Sequence, residues 1–327
     1  MEYDDAVFGR ERITEPVLLD LIQSAAVQRL RQVLQHGISG LIGVTQPVTR
    51  FDHSLGVMLL VRRLGAPLAE QIAALLHDVS HTAFSHVIDY VVAGHDSQSY
   101  HDEMKAQYMA GTDLPPLLAR HGYDWHDFLD EAAFPLLEQP APRLCADRLD
   151  YFLRDSLELR LSTPAGVRHV LQHLVVHQGR IMVDDLAVAR WLAYTYIAAD
   201  EASWANFREV GLYELAALAI QRGLALGVIT EADFWGVDAV VWARLHARPD
   251  ALLQRLLAQV TPDTRFAWDE VNPTFRVSTK LRTIDPEVVG PGRVAPLSAL
   301  DPDFAAYRQA YLQGKQGKWP MRVIGLA

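Results

Sequence analysis

Residues 69–78, AEQIAALLHD, are apolar around nearly the whole circumference of a helix and end on a histidine followed by an aspartate. A helix at a protein surface keeps one polar face, so a segment lacking that face belongs in the middle of a packed domain. Pro67 is placed to start this helix, and Gly65 to stop the one before it. The rest of the chain must supply elements that surround the segment. At 327 residues, 50% hydrophobic and 21% charged, it can bury a large core without metal or disulfide support.

The surrounding pattern is mostly helical. Residues 16–36 read as one amphipathic helix, with Leu19, Ile22, Ala26, Leu30 and Val33 near helical spacing. A loop carrying Gly37, Gly40, Gly43 and Pro47 follows. Val57, Leu60, Val61 and Leu64 then mark one face of a second helix that starts near Asp52. Further helices are expected at about 84–93, 98–110, 124–138 and 143–159. Residues 174–185 break the pattern, and two short apolar runs flanking Gln178-Gly179 predict a β-hairpin. Helix resumes over 185–260. From Thr261 proline and β-branched residues increase, with FRVST and MRVIG as strand candidates. The expected architecture is mainly α: a helical domain over 1–260 with a small hairpin, and a mixed α/β C-terminal extension over 261–327.

A single cysteine, Cys145, leaves no internal disulfide and fits a reducing compartment. The polar, acidic start MEYDDAVFGRERITEP is no signal peptide, and no apolar run approaches the about 20 residues a membrane span needs. The expected location is the cytoplasm. A formal net charge of −10 argues against a broad nucleic-acid surface. Such a chain can still bind a phosphate ester where a cation and a few arginines focus positive potential in one cleft.

Seven of the thirteen histidines fall between residues 36 and 101. The strongest signal is His77-Asp78, because a buried carboxylate is costly unless paired or coordinated. Neighbouring helical positions diverge by about 100°, so both side chains can reach one ion placed between them. His53 is in phase with Val57, Leu60, Val61 and Leu64. Asp147 follows Leu144 at i+3 and precedes Tyr151 at i+4, so both belong on buried faces. Two imidazoles and two carboxylates suit one divalent ion, whether Mn, Fe, Co, Ni, Zn or Mg; ligand softness does not choose among them. Asp150 and Arg154, four apart, read as a surface ion pair. Tyr151 reads either as a core aromatic with a hydrated hydroxyl or as a ligand contact.

The segments RFDHSLGV (50–57), ALLHDVSHTAFSH (74–86), YHDEM (100–104) and ADRLDYFLRDS (146–156) resemble the HD-domain hydrolases. Among these they are most similar to the deoxynucleoside triphosphate triphosphohydrolase branch. The resemblance implies an HD-type helical core in which His53, His77, Asp78 and Asp147 hold the metal. It implies that His81 and His101 act on the phosphate and leaving group, with Asp89 or Asp102 orienting one of them. Arg50 would contact phosphate, and Gln35, His86, Tyr151 and Asp155 would line the substrate pocket, the last two beside the sugar. It also implies a nucleotide or other phosphate-ester substrate, and a homo-oligomer. Two departures stand out. Ser80 replaces the glycine usual between HD and the next histidine. The stretch 190–209, which in the family's triphosphohydrolases grips the triphosphate, has Arg190 and Arg208 as its only cations. The tail segment VSTKLRTIDPEV (277–288) is similar to tails of small bacterial HD hydrolases, with no role attached to it. The expected function is hydrolysis of dNTP to deoxynucleoside and tripolyphosphate. The alternatives are an HD-type nucleotide phosphatase or phosphodiesterase, or a nucleotide-sensing module without catalysis.

Overall fold

The computed structural model describes residues 1–92 and 98–324; His95 lies outside them. The protein is mainly helical. The apolar segment ending at His77-Asp78 forms helix Leu68–Leu76, and every residue from Glu70 to Leu76 is buried. It packs along helix Arg50–Arg63, which in turn packs against helix Ala146–Glu158. Fully burying each leucine or isoleucine of this stack contributes about 2 kcal/mol. A second cluster of buried side chains surrounds the long helix Phe207–Ala225.

Three predicted helices are reshaped, and of these 98–110 is divided at Met104 into helices Tyr100–Glu103 and Lys105–Ala110. The 16–36 segment is cut into helices Pro16–Gln23 and Ala25–Arg29 and a short 3-10 turn. The Ser24 hydroxyl accepts from the Val27 amide and so caps a new helix start. Residues 124–138 are not a helix but two 3-10 turns, Trp125–Phe128 and Glu131–Ala133, each capped by an aspartate side chain. Pro135 disfavours helix for the residue before it. The following amides of Leu136 and Leu137 donate to the buried Glu70 carboxylate instead of to a helix. Sequence periodicity cannot reveal such a long-range acceptor.

The predicted hairpin is present as strands Leu174–His177 and Arg180–Val183. Gln178 and Gly179 both have positive φ, as the tight two-residue turn requires. The tail strands behave in two ways. Glu287–Gly290 and Arg293–Pro296 extend that hairpin into a four-stranded sheet, with Val183 opposite Val288 in parallel register. Arg265–Trp268, Phe275–Val277 and Trp319–Ile324 form a separate antiparallel sheet with the last strand in the centre. An N-terminal hairpin, Glu2–Asp5 with Gly9–Arg12, was not foreseen. Among the described residues no helix is long and apolar enough to cross a membrane.

Asp238 ties the loops beside the site together. One of its carboxylate oxygens accepts from the Phe84 amide and the other from the Leu34 amide, both at 2.8 Å. Burial pushes its pKa up to about 6, although the two amides oppose the shift. A carboxyl that is a weaker acid folded than unfolded stabilises the fold fully below its unfolded pKa, and this is lost as pH rises through about 6. Asp238→Ala is therefore expected to lower unfolding free energy at pH 7 by about 2 kcal/mol, through two unpaired buried amides. The deficit should widen by up to about 3 kcal/mol as pH falls to 4. Urea unfolding of both proteins at the two pH values checks this; a deficit that shrinks on acidification would refute it.

Candidate functional site

Helix Arg50–Arg63 begins at Thr49, whose hydroxyl oxygen accepts from the Asp52 amide, and this start places Arg50 and His53 on its buried side. Helix Leu68–Leu76 ends at His77, delivering His77 and Asp78 to the same place. Helix Ala146–Glu158 brings Asp147 from the opposite wall. His53 Nε2 lies 3.2 Å from His77 Nε2 and 3.0 Å from Asp147 Oδ1. His77 Nε2 is 3.6 Å from Asp147 Oδ1, and each imidazole is 3.6 Å from an oxygen of Asp78. The four residues predicted as metal ligands converge.

Whether they fit a metal follows from their protons. His53 Nδ1 meets the Asp150 carboxylate at 2.8 Å, and His77 Nδ1 meets the Ala74 carbonyl at 2.7 Å. Carboxylate and carbonyl oxygens only accept, so both Nδ1 atoms carry hydrogen and both Nε2 atoms of the neutral rings present lone pairs. Those lone pairs face one another and two carboxylates. This arrangement is repulsive unless a cation or an extra proton sits between them. Without an ion the protons go to the rings: burial lowers the pKa of His77, but the Asp78 charge and the Asp147 contact outweigh it and push it up to about 10. His53 rises for the same reasons. Donors bonded at about 2.1 Å to one ion stand about 3.0–3.4 Å apart, which matches the closest separations here. The donor set fits a divalent ion. Asp78 also belongs to a second trio, with His81 and His101, whose ligand atoms lie within 4.8 Å of one another.

Arg50 is held rigidly. It donates from Nη1 to Asp78 Oδ2 at 2.6 Å and from Nε to Ser85 Oγ at 3.0 Å. His81 and His101 stack at 3.7 Å between ring centres, and His86 approaches both edge-on. Burial and nearby positive groups keep all three well below the usual histidine pKa, hence neutral at pH 7. Asp89 receives His86 Nδ1 at 3.1 Å, and Asp102 lies 3.3 Å from His101 Nε2. Ser80 is fully buried without positive φ, so the backbone there does not require glycine.

Arg50, Asp78, His81, His86, His101 and Asp102 line one cavity of about 800 Å³ together with Gln35, Tyr151 and Asp155. Asp155 is buried, not a surface ion-pair partner: it meets His36 Nε2 at 3.0 Å and accepts from Trp204 Nε1 at 2.6 Å. The Tyr151 hydroxyl pairs with that of Tyr196. Gln35 Oε1 and His101 Nδ1 are buried atoms without a hydrogen-bond partner among the described residues. Sequence reasoning missed His36, Tyr196, Trp204 and Tyr213, which carry no spacing signal linking them to the motifs.

It also misread Asp150 and Arg154. Both are buried, and Arg154 bridges Asp150 and Asp5 of the N-terminal hairpin. Their helix passes so close to helix Arg50–Arg63 that a Cβ on Gly56 would stand 1.9 Å from Arg154 Nη2. The glycine of the RFDHSLG segment is there to admit this ion pair behind His53.

Residues 50–155 match the HD-domain family. A metal-dependent phosphohydrolase, cns2, of Cordyceps militaris is 38% identical over 94% of this chain and 91% of its own length. A deoxynucleoside triphosphate triphosphohydrolase SAMHD1 homolog of Dictyostelium discoideum is 25% identical over 52% of this chain and 38% of its own. The crystal structure of a phosphohydrolase from Bacteroides thetaiotaomicron superposes with a TM-score of 0.66 at 17% identity, covering 100% of this chain and 99% of that one. With the ordered motifs, the convergent His/Asp cluster and a full-length relative in agreement, the chain belongs to the HD-domain metal-dependent phosphohydrolases.

Proposed function

We propose that this phosphohydrolase acts on nucleotides, in the manner of a dNTP triphosphohydrolase, adding water to a dNTP to give a deoxynucleoside and tripolyphosphate. The observation that carries the reading is the lining of the cavity. His77, Asp78, Asp147 and Arg50 share it with four aromatic side chains, Tyr151, Tyr196, Trp204 and Tyr213. A volume of about 800 Å³ is in the range of pockets that enclose a nucleotide-sized ligand. The distant likeness to the Dictyostelium protein supports the same direction.

His53, His77, Asp78 and Asp147 would hold the ion. A divalent ion there supplies Lewis acidity, drawing charge from a phosphoryl oxygen and acidifying water. Arg50, fixed by Asp78 and Ser85, faces the same centre and stabilises negative charge that develops on the phosphoryl group. His81 and His101, neutral at pH 7, can each accept or donate a proton there. The Asp102 carboxylate beside His101 Nε2 orients that ring.

The test is product identification. The purified protein with Mn or Ni is incubated with a panel of nucleotides, and the phosphorus products are resolved by NMR. Tripolyphosphate and deoxynucleoside in equal amounts are expected from a dNTP. Orthophosphate alone, or a linear nucleotide from a cyclic one, would overturn the triphosphohydrolase reading.

A further inference from the structure

The cations lining the cavity differ in how they are compensated. Arg50 is paired with Asp78, Lys105 with Glu131 and Arg148 with Glu138. Lys280, Arg282 and Arg308 also line it, and among the described residues none of the three pairs with a carboxylate side chain. All three come from the C-terminal tail. Arg190, in the stretch from which triphosphate-binding cations were expected, is instead engaged with Asp301 at 2.6 Å.

The tail segment that carries Lys280 and Arg282 is an extended strap without regular structure between strands Phe275–Val277 and Glu287–Gly290. It is anchored along its length. The Arg282 amide donates to Asp200 Oδ2, Arg308 Nε donates to Thr283 Oγ1, and the Asp285 amide donates to the Pro142 carbonyl. Ile284 is fully buried. The Arg282 guanidinium donates to neutral acceptors, Gln98 Oε1 and the Lys280 carbonyl, while the Asp200 charge acts on it without a direct side-chain contact. The fold thus sets two cations two residues apart against a cavity, neither in a direct carboxylate ion pair among the described residues, in a chain of net charge −10. Burial and the neighbouring Arg282 lower the pKa of Lys280, a cost that an arriving anion would remove.

We propose that Lys280 and Arg282 form an anion subsite for a second phosphate group, so that the cavity takes substrates carrying two or more phosphates. The subsite deepens the nucleotide reading and rests on it for the position of the first phosphate. A guanidinium and an ammonium side by side suit a phosphate chain better than a single phosphoryl group, which Arg50 and the metal cluster already serve.

Calorimetric titration of the full-length, Mn-loaded protein with inorganic tripolyphosphate and with orthophosphate tests this without requiring turnover. The wild type should bind tripolyphosphate about tenfold or more tightly than orthophosphate, as a charged contact implies. Lys280→Gln should erase that preference, weakening tripolyphosphate about tenfold while leaving orthophosphate within about twofold. Lys280→Arg, which restores the charge, should recover the preference. Equal weakening of both anions, or no change in either, would overturn the subsite. Should no nucleotide be hydrolysed while the tripolyphosphate preference and its loss in Lys280→Gln persist, the nucleotide reading fails and the subsite stands.

Discussion

His77→Ala is expected to bind no stoichiometric divalent metal and to lose about a thousandfold in kcat/KM, while remaining folded. The magnitude follows from the several kcal/mol that a Lewis acid contributes to phosphoryl transfer, at 1.36 kcal/mol per tenfold. Retention of the fold follows from the geometry. His77 caps the end of its helix, outside the packed Glu70–Leu76 run, so its removal opens a small void and leaves Asp78 paired with Arg50. The difference should appear in linkage. An ion that binds only the native state stabilises it by about 2.7 kcal/mol at one hundred times its Kd. Added Mn should therefore raise the melting temperature of the wild type and leave that of His77→Ala unchanged. His121→Ala is the control, since that ring meets Asp20 and is not part of the cavity lining. Metal analysis, thermal melts and phosphate release decide the matter together. A variant that keeps one equivalent of metal and full activity would remove His77 from the centre.

The four clustered residues were legible because two independent patterns agreed on them. His53 and Asp147 fell in phase with apolar neighbours, and His77-Asp78 ended a helix too apolar to be exposed. What could not be read depended on long-range partners. Glu70 sits in an apolar helix and looks like a solitary charge, yet it accepts the Leu136 and Leu137 amides and so prevents the helix expected over 124–138. The tail strap contributes Lys280 and Arg282 to the cavity although more than a hundred residues separate them from the motifs. Local spacing carries no trace of such contacts. The aromatic lining was equally silent, because Tyr196 and Trp204 in sequence look like ordinary core residues. The pair Asp150 and Arg154 misled for a different reason. Opposite charges four apart usually mark a solvated helix face, and only the missing side chain at Gly56 hints that another helix lies against them.

That pair gives the second large expected effect. Asp150 and Arg154 are 0% and 5% exposed, and the Asp5 side chain is fully buried. Arg154 donates to Asp150 at 2.8 and 3.0 Å and to Asp5 at 2.7 Å. Asp150 in turn receives His53 Nδ1, so the chain of contacts runs from the N-terminal hairpin to the metal cluster. Arg154→Met keeps much of the side-chain volume but leaves two buried carboxylates facing each other without a counter-charge. Removing one partner of a buried ion pair costs about 3–5 kcal/mol, far more than loss of an exposed pair. Unfolding by urea should register that loss. Metal affinity should fall by about 10–100-fold as well, because Asp150 would no longer hold the His53 ring and its Nδ1 proton in place. Asp5→Asn separates the two effects. It removes one of the stranded charges yet leaves the Asp150–His53 contact intact, so Asp5→Asn in the Arg154→Met background should recover stability more than metal affinity. An Arg154→Met protein with wild-type stability and wild-type metal affinity would mean that the hairpin's reach to the metal centre is incidental.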